Sequence, residues 1–121
     1  MPSLPMHPGD ETTPLEAFNL RAYGLWLNSR QELLVVDEVI RGQPITKFPG
    51  GGVELGEGLQ AAIHREWDEE LGLPVTQATH FYTTDFYQRS AFNPRHQIIS
   101  VYFRVQSPED RPFRPLPPDE L

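Results

Sequence analysis

Nine of the thirteen prolines in this 121-residue chain lie in two short terminal stretches and confine regular structure to the middle. Pro2, Pro5, Pro8 and Pro14 fall in the first; Pro108, Pro112, Pro115, Pro117 and Pro118 fall in the last. Proline fixes φ and has no N–H to donate, so neither stretch can be a helix interior or a central strand. We therefore expect an extended N-terminal arm over residues 1–18, one domain over residues 19–106, and a proline-rich C-terminal segment over residues 107–121. The length fits one domain with one core. No internal repeat is visible. Extended arms beside a small domain suit packing on a second copy, so a homodimer is one expectation.

Between the arms the pattern reads βββαββ. Asn19 to Asn28, Leu33 to Ile40 and Ile45 to Phe48 are apolar or β-branched runs separated by the turn signals SRQE and RGQP. Leu59, Ile63, Trp67 and Leu71 recur every fourth residue, which predicts a helix over 59–71 with these four on its buried stripe. Gly72 stands where a helix C-cap belongs. Val75 to Gln88 and His96 to Val105 read as two more strands. The fold class is α/β (α+β), with one mid-chain helix between strands.

Charge and composition exclude several functions. Seventeen acidic against ten basic residues leave a net charge of −7, which disfavours a nucleic-acid surface. An anionic substrate then needs a metal ion or a local arginine cluster. Lys47 is the one lysine; the other nine basic residues are arginines, suited to forked recognition of phosphate. The absence of cysteine excludes disulfides, thiolate metal sites and a cysteine nucleophile, and agrees with a cytoplasmic location. No apolar run is long enough to cross a bilayer. The opening MPSLPMHPGDETTP has no basic region followed by an apolar stretch, so no secretory signal is expected there.

The most unusual stretch is KFPGGGVELGEGLQAAIHREWDEELGL, Lys47 to Leu73. On the predicted helix Glu66, Glu69 and Glu70 stand at i, i+3 and i+4, so their carboxylates share one face beside the apolar stripe. Like charges so placed destabilise a helix by a few tenths of a kcal/mol, roughly, per pair. Such a face is either solvated, with Glu69 paired to Arg65 at i−4, or a hard-cation site. Oxygen ligands without histidine or cysteine suit Mg²⁺ or Mn²⁺ rather than Zn²⁺.

From Gly51 onward the order is Gly, five residues, Glu57, seven residues, Arg65-Glu66, Trp67, one residue, Glu69-Glu70, one residue, Gly72-Leu73. This resembles the Nudix box, G-x5-E-x7-R-E-U-x-E-E-x-G-U, where U is bulky and apolar. All seven fixed residues match. At about one in twenty each, chance produces such a match on the order of once in a billion starting positions, so the resemblance is specific. The flanks FPGGG and GEG also look like the family.

The resemblance implies a mixed β-sheet sandwiched between helices, with the box as a loop–helix–loop. It implies Mg²⁺-dependent hydrolysis of the pyrophosphate bond in a nucleoside diphosphate linked to another moiety. By matched position it implies metal ligands at Glu66, Glu69, Glu70 and the Gly50 carbonyl. It implies catalytic roles for Glu66 and Glu69, and for Arg65, paired with Glu57, as the group that orients them.

Trp67 departs from the family by being larger than its usual aliphatic residue, and its indole N–H needs a partner. A closing helix after the last strand is expected only as a beginning, in PPDEL. A further catalytic acid could come from Asp85, Glu109, Asp110 or Glu120. The aromatic segment from His80 to Gln97 offers Arg89, Arg95 and Tyr87 for substrate, Arg for phosphate and Tyr for stacking. Two other classes compete: a module of the same fold that senses a nucleotide without turnover, and an isomerase that uses the acids at carbon. The intact box favours hydrolysis over the first, and no cysteine is present for the second.

Overall fold

The computed structural model describes residues 12–109; the closing helix expected in PPDEL and the candidates Asp110 and Glu120 lie outside them. Seven elements follow one another: β1 (Ala17–Leu25), β2 (Val36–Ile40), β3 (Gln43–Lys47), β4 (Gly50–Gly52), α1 (Leu59–Leu71), β5 (Gln77–Thr83) and β6 (His96–Gln106). Four strands form a mixed sheet in the order β4-β1-β6-β5, while β2 and β3 make a separate two-stranded hairpin. The strand β1 runs parallel to β6 and antiparallel to β4; β5 is antiparallel to β6.

Period-two alternation gives the sheet two faces. Ala22 and Gly24 of β1, with Trp26 just beyond it, share one face with Val101, Phe103 and Val105 of β6. The helix α1 lies on this face, with Ala62, Ile63 and Trp67 fully buried and Leu59 and Leu71 packed at its margin. Burying a side chain such as Ile63 contributes roughly 1.5–3 kcal/mol. The predicted stripe and boundaries hold: the helix ends at Gly72, whose φ of 63° is left-handed and whose N–H donates to the Asp68 carbonyl at 3.0 Å. Gln60 fastens the helix to the sheet edge through the Ala78 carbonyl at 2.8 Å.

The opposite face is aromatic and polar. Tyr23 and Tyr102 stack with ring centroids 5.5 Å apart, and Tyr82 and Phe48 approach Tyr102 from either side at 6.2 Å. Among the described residues α1 is the single α-helix, and none is long and apolar enough to cross a membrane.

Besides shifted ends of β1, expected over Asn19 to Asn28, and of β2, expected from Leu33, three local features differ from the sequence expectation. The three glycines, expected as a loop, form β4 and pair with Arg21, Ala22 and Tyr23 of β1. The second turn is only Arg41-Gly42, both at positive φ (51° and 79°), so Gln43 and Pro44 belong to β3. Proline is tolerated there because a two-stranded ribbon has a free edge on each strand. The strand expected over Val75 to Gln88 stops at Thr83. Beyond it Thr84 still pairs with Ser100, its N–H donating to the Ser100 carbonyl at 3.0 Å and its hydroxyl accepting from the Ser100 N–H at 3.1 Å.

Trp67 fits because β1 places Gly24 beneath it. A Cβ on Gly24 would lie 2.6 Å from Trp67 Nε1 and 2.8 Å from Val105 Cγ2. The indole meets Trp26 edge-on, with centroids 5.7 Å apart. Its N–H, expected to find a partner, is buried against that glycine with no acceptor among the described residues. An unsatisfied donor of this kind costs about 1–3 kcal/mol, tolerated here for the burial of the large ring.

Candidate active site

The site lies where α1 crosses β4 beside the end of β3. Two glycines allow this approach. Gly50 has a φ of 148°, and a Cβ on it would stand 2.1 Å from the Ala22 carbonyl oxygen, so only glycine fits. On Gly51 a Cβ would stand 2.7–3.0 Å from the Glu66 carboxylate, which rests directly on the strand backbone.

Arg65 organises one half of the site. A guanidinium has five N–H donors in a fixed fork, and each is used. Nε and Nη2 donate to the two carboxylate oxygens of Glu57 at 2.7 and 3.0 Å, and Nη2 also donates to the Gly52 carbonyl at 2.9 Å. Nη1 donates to Glu66 at 3.1 Å and to Glu69 at 3.2 Å. The hydrogen bonds from Arg65, with one from the Glu54 N–H, hold the Glu57 carboxyl down at about 2. The same pairing raises the Arg65 pKa further. Burial pushes Glu66 the other way, above the usual carboxylate range, against the pull of Arg65; Glu70 and Glu69 add to the rise.

Glu70 belongs to the other half. One of its oxygens accepts from the Gly50 N–H at 3.3 Å and the other from Lys47 Nζ at 3.0 Å. Lys47 Nζ also donates to the Gly50 carbonyl at 2.6 Å and lies 3.5 Å from Glu38. The structure thus puts Gly50, Glu57, Arg65, Glu66, Glu69 and Glu70 around one strand–helix contact. It does not make one bare carboxylate cluster of them: Glu69 is 57% exposed on the Arg65 side, and Glu70 sits with Lys47. Among the described residues, no three acidic or histidine side chains converge by themselves on a metal position. The oxygen set still fits a hard cation. The Gly50 carbonyl and Glu70 already share one positive charge, that of Lys47, and Mg²⁺ usually takes only one or two carboxylates with the rest from water and substrate phosphate.

The other candidates lie elsewhere. Arg89 donates to the Thr13 and Pro94 carbonyls and ties the β5–β6 connection to the chain before β1. Arg95 pairs with Glu16 at 2.6 Å. Tyr87 is exposed on the same connection, as is Asp85; Glu109 is exposed just beyond β6.

Sequence reasoning missed Lys47 and the Tyr23–Tyr102 face. Lys47 could have been found as the one lysine, placed directly before Phe48-Pro49-Gly50. Tyr23 could have been found by carrying strand alternation through β1. Arg21 lies on that face too, its Nε donating to the Tyr23 hydroxyl at 2.6 Å.

A glycine strand laid against an acidic helix, with an arginine fork binding the acids together, defines a Nudix-type fold and box. Comparison with known proteins agrees. The NUDIX domain family model matches residues 18–121. The chain belongs to the NUDIX domain family. A relative from Haemophilus influenzae named 8-oxo-dGTP diphosphatase is 37% identical over 57 residues, covering 47% of this chain and 38% of that protein. A NUDIX hydrolase from Nitrosomonas europaea superposes with a TM-score of 0.65 at 24% identity, over 84% of this chain and 66% of that one. A MutT NUDIX hydrolase from Burkholderia pseudomallei gives 0.64 at 16% identity, over 78% and 71%. The chain therefore spans well under half of the Haemophilus protein and just under two thirds of the Nitrosomonas one.

Proposed function

We propose that this chain is a metal-dependent hydrolase that cleaves the pyrophosphate bond in a nucleoside diphosphate derivative. The observation that carries the reading is the meeting of the Gly50 carbonyl and the Glu70 carboxylate around a single cation, beside the Arg65-ordered carboxylates of Glu66 and Glu69. Glu66, Glu70 and the Gly50 carbonyl would hold Mg²⁺ or Mn²⁺, with Glu69 at the solvent edge of the set. When bound, the ion neutralises diphosphate charge and lowers the pKa of a coordinated water.

The protein's own contribution is positioning, which is most of what phosphoryl transfer requires. In the reaction a water oxygen bonds to phosphorus, the bridging P–O bond breaks, and the water's proton must leave. Glu69, exposed and held by Arg65, is placed to accept that proton. Glu57 fixes the guanidinium, and the guanidinium fixes Glu66 and Glu69. The stacked tyrosines next to Lys47 offer a π surface to a nucleobase. The name of the Haemophilus relative puts nucleoside triphosphates first among substrates to try.

The test is phosphate or pyrophosphate release with excess Mg²⁺, over nucleoside triphosphates, nucleotide sugars, dinucleoside polyphosphates and ADP-ribose. Turnover of one class should be abolished by EDTA and fall at least about 100-fold in Glu70→Gln, the scale on which loss of one charge-stabilising group acts. A ligand that binds by calorimetry but is never cleaved would refute hydrolysis and leave a nucleotide-sensing module.

A further inference from the structure

Lys47 closes β3 and sends its side chain into the site rather than to solvent, where it is 15% exposed. An ammonium has three donors and no acceptor. Two oxygens accept from it, the Gly50 carbonyl at 2.6 Å and Glu70 Oε1 at 3.0 Å, and Glu38 Oε2 forms an ion pair with it at 3.5 Å. The face of Tyr23 lies 5.8 Å away. A compact point charge on a flexible stem is therefore held among three oxygens. Two of them, from Gly50 and Glu70, are the oxygens assigned above to a divalent ion; Glu38 is not.

We propose that Lys47 is the resident counter-cation of this site, holding Gly50 and Glu70 together until a divalent ion displaces it. The inference rests on the metal-binding reading of the site. A carbonyl oxygen 2.6 Å from an ammonium cannot also be a metal ligand without moving a double positive charge to within ~4 Å of a single one, where repulsion is twice that of a unit pair. Four rotatable bonds let the ammonium withdraw. Glu38 and the Tyr23 face are the groups already in its reach on the side away from α1. A diphosphate bound to the metal would offer the freed ammonium new anionic acceptors. Lys47 is then a positioning residue with two successive partners: carboxylate and carbonyl before metal, anionic substrate after it.

Because Lys47 is the one lysine, protein grown with isotope-labelled lysine gives a single side-chain NMR signal. Mg²⁺ binding is measured on the same sample by calorimetry. The expected result is that the Lys47 signal shifts with the calorimetric midpoint and that its ammonium protons exchange faster with water, having lost the Gly50 and Glu70 oxygens. In parallel, Mn²⁺ affinity is counted by the electron paramagnetic resonance of free ion in wild type and Lys47→Met. Loss of a competing cation should tighten Mn²⁺ binding about tenfold, close to 1.4 kcal/mol. Metal binding with an unmoved Lys47 signal overturns the proposal, whether or not Lys47→Met folds. Equal or weaker Mn²⁺ binding by a folded Lys47→Met does so too, since a merely structural lysine would give that result. Failure of wild type to bind either ion overturns the metal-binding reading itself, and this proposal with it.

Discussion

Substituting Gly24 by alanine should destabilise the protein, chiefly because Trp67 is there. The added Cβ would sit 2.6 and 2.9 Å from Nε1 and Cε2 of the indole and 2.8 Å from Val105 Cγ2. The indole is a rigid, fully buried ring held between Trp26 and the sheet, so it cannot yield as the end of a flexible chain would. Overpacking of this kind costs about 1–3 kcal/mol. Against it stands the gain of about 0.5–1 kcal/mol from replacing glycine by alanine inside a strand. Sterics should prevail, with a net loss on the order of 1–2 kcal/mol. In a Trp67→Leu background the two indole contacts are gone and only Val105 Cγ2 still faces the new Cβ, so most of the cost of Gly24→Ala should vanish. The four proteins of this double-mutant cycle are compared by urea unfolding, with Trp26 fluorescence as a reporter in all of them. A coupling energy of about 1–3 kcal/mol is expected. An equal cost of Gly24→Ala in both backgrounds, within about 0.5 kcal/mol, would refute the assignment of the strain to this pair.

Further outcomes follow from the site. Glu57→Gln leaves Arg65 without its two-toothed partner. Because the folded carboxyl of Glu57 is depressed from 4.5 to about 2, its contribution to stability is full above the unfolded pKa and lost as pH falls through the folded one. Melting temperatures of wild type and Glu57→Gln should therefore differ by a constant amount at neutral pH and converge between pH 4.5 and 2; parallel curves down to pH 2 would argue against this pairing. Gly51→Ala places a Cβ against the carboxylate end of the Glu66 side chain rather than against backbone, so unfolding should change little while turnover and Mn²⁺ affinity drop about 10–100-fold. Light scattering tests the expected homodimer, for which the exposed Phe18, Val39 and Phe81 offer apolar surface.

What could be read from the chain, and what could not, divides along physical lines. The helix was legible because its signals are local: a four-residue apolar repeat and a glycine stop within one segment. The Arg65–Glu57 pair was expected from the box resemblance, and the geometry agrees down to both teeth of the fork. The strand β4 was not legible, because three glycines have the weakest strand preference of any run. It exists through pairing with β1, a tertiary fact. The partners of Lys47 were hidden for a similar reason, although the lysine itself stood out: Glu38 and Glu70 reach it from two different elements, β2 and α1. The roles expected of Arg89 and Arg95 rested on residue type alone, and type does not say that loop carbonyls and Glu16 already engage those guanidiniums.

The parallel ladder between β1 and β6 sets the order in which this protein can be made. It joins Ala17 to His96 and Leu25 to Arg104, the longest-range contacts of the sheet. During synthesis β1 can pair with β4 soon after Gly52 leaves the ribosome, and α1 can close over them. The second edge of β1 must wait for the last strand. Until then the nascent chain carries an open strand edge of unpaired backbone groups, with Phe18, Leu20 and Ala22 on one face of the strand, able to recruit the wrong neighbour. Folding to the native sheet should be slow for a protein of this size, because its central pairing is its least local one. Chains stalled before residue 96 should be substrates for chaperones rather than stable intermediates.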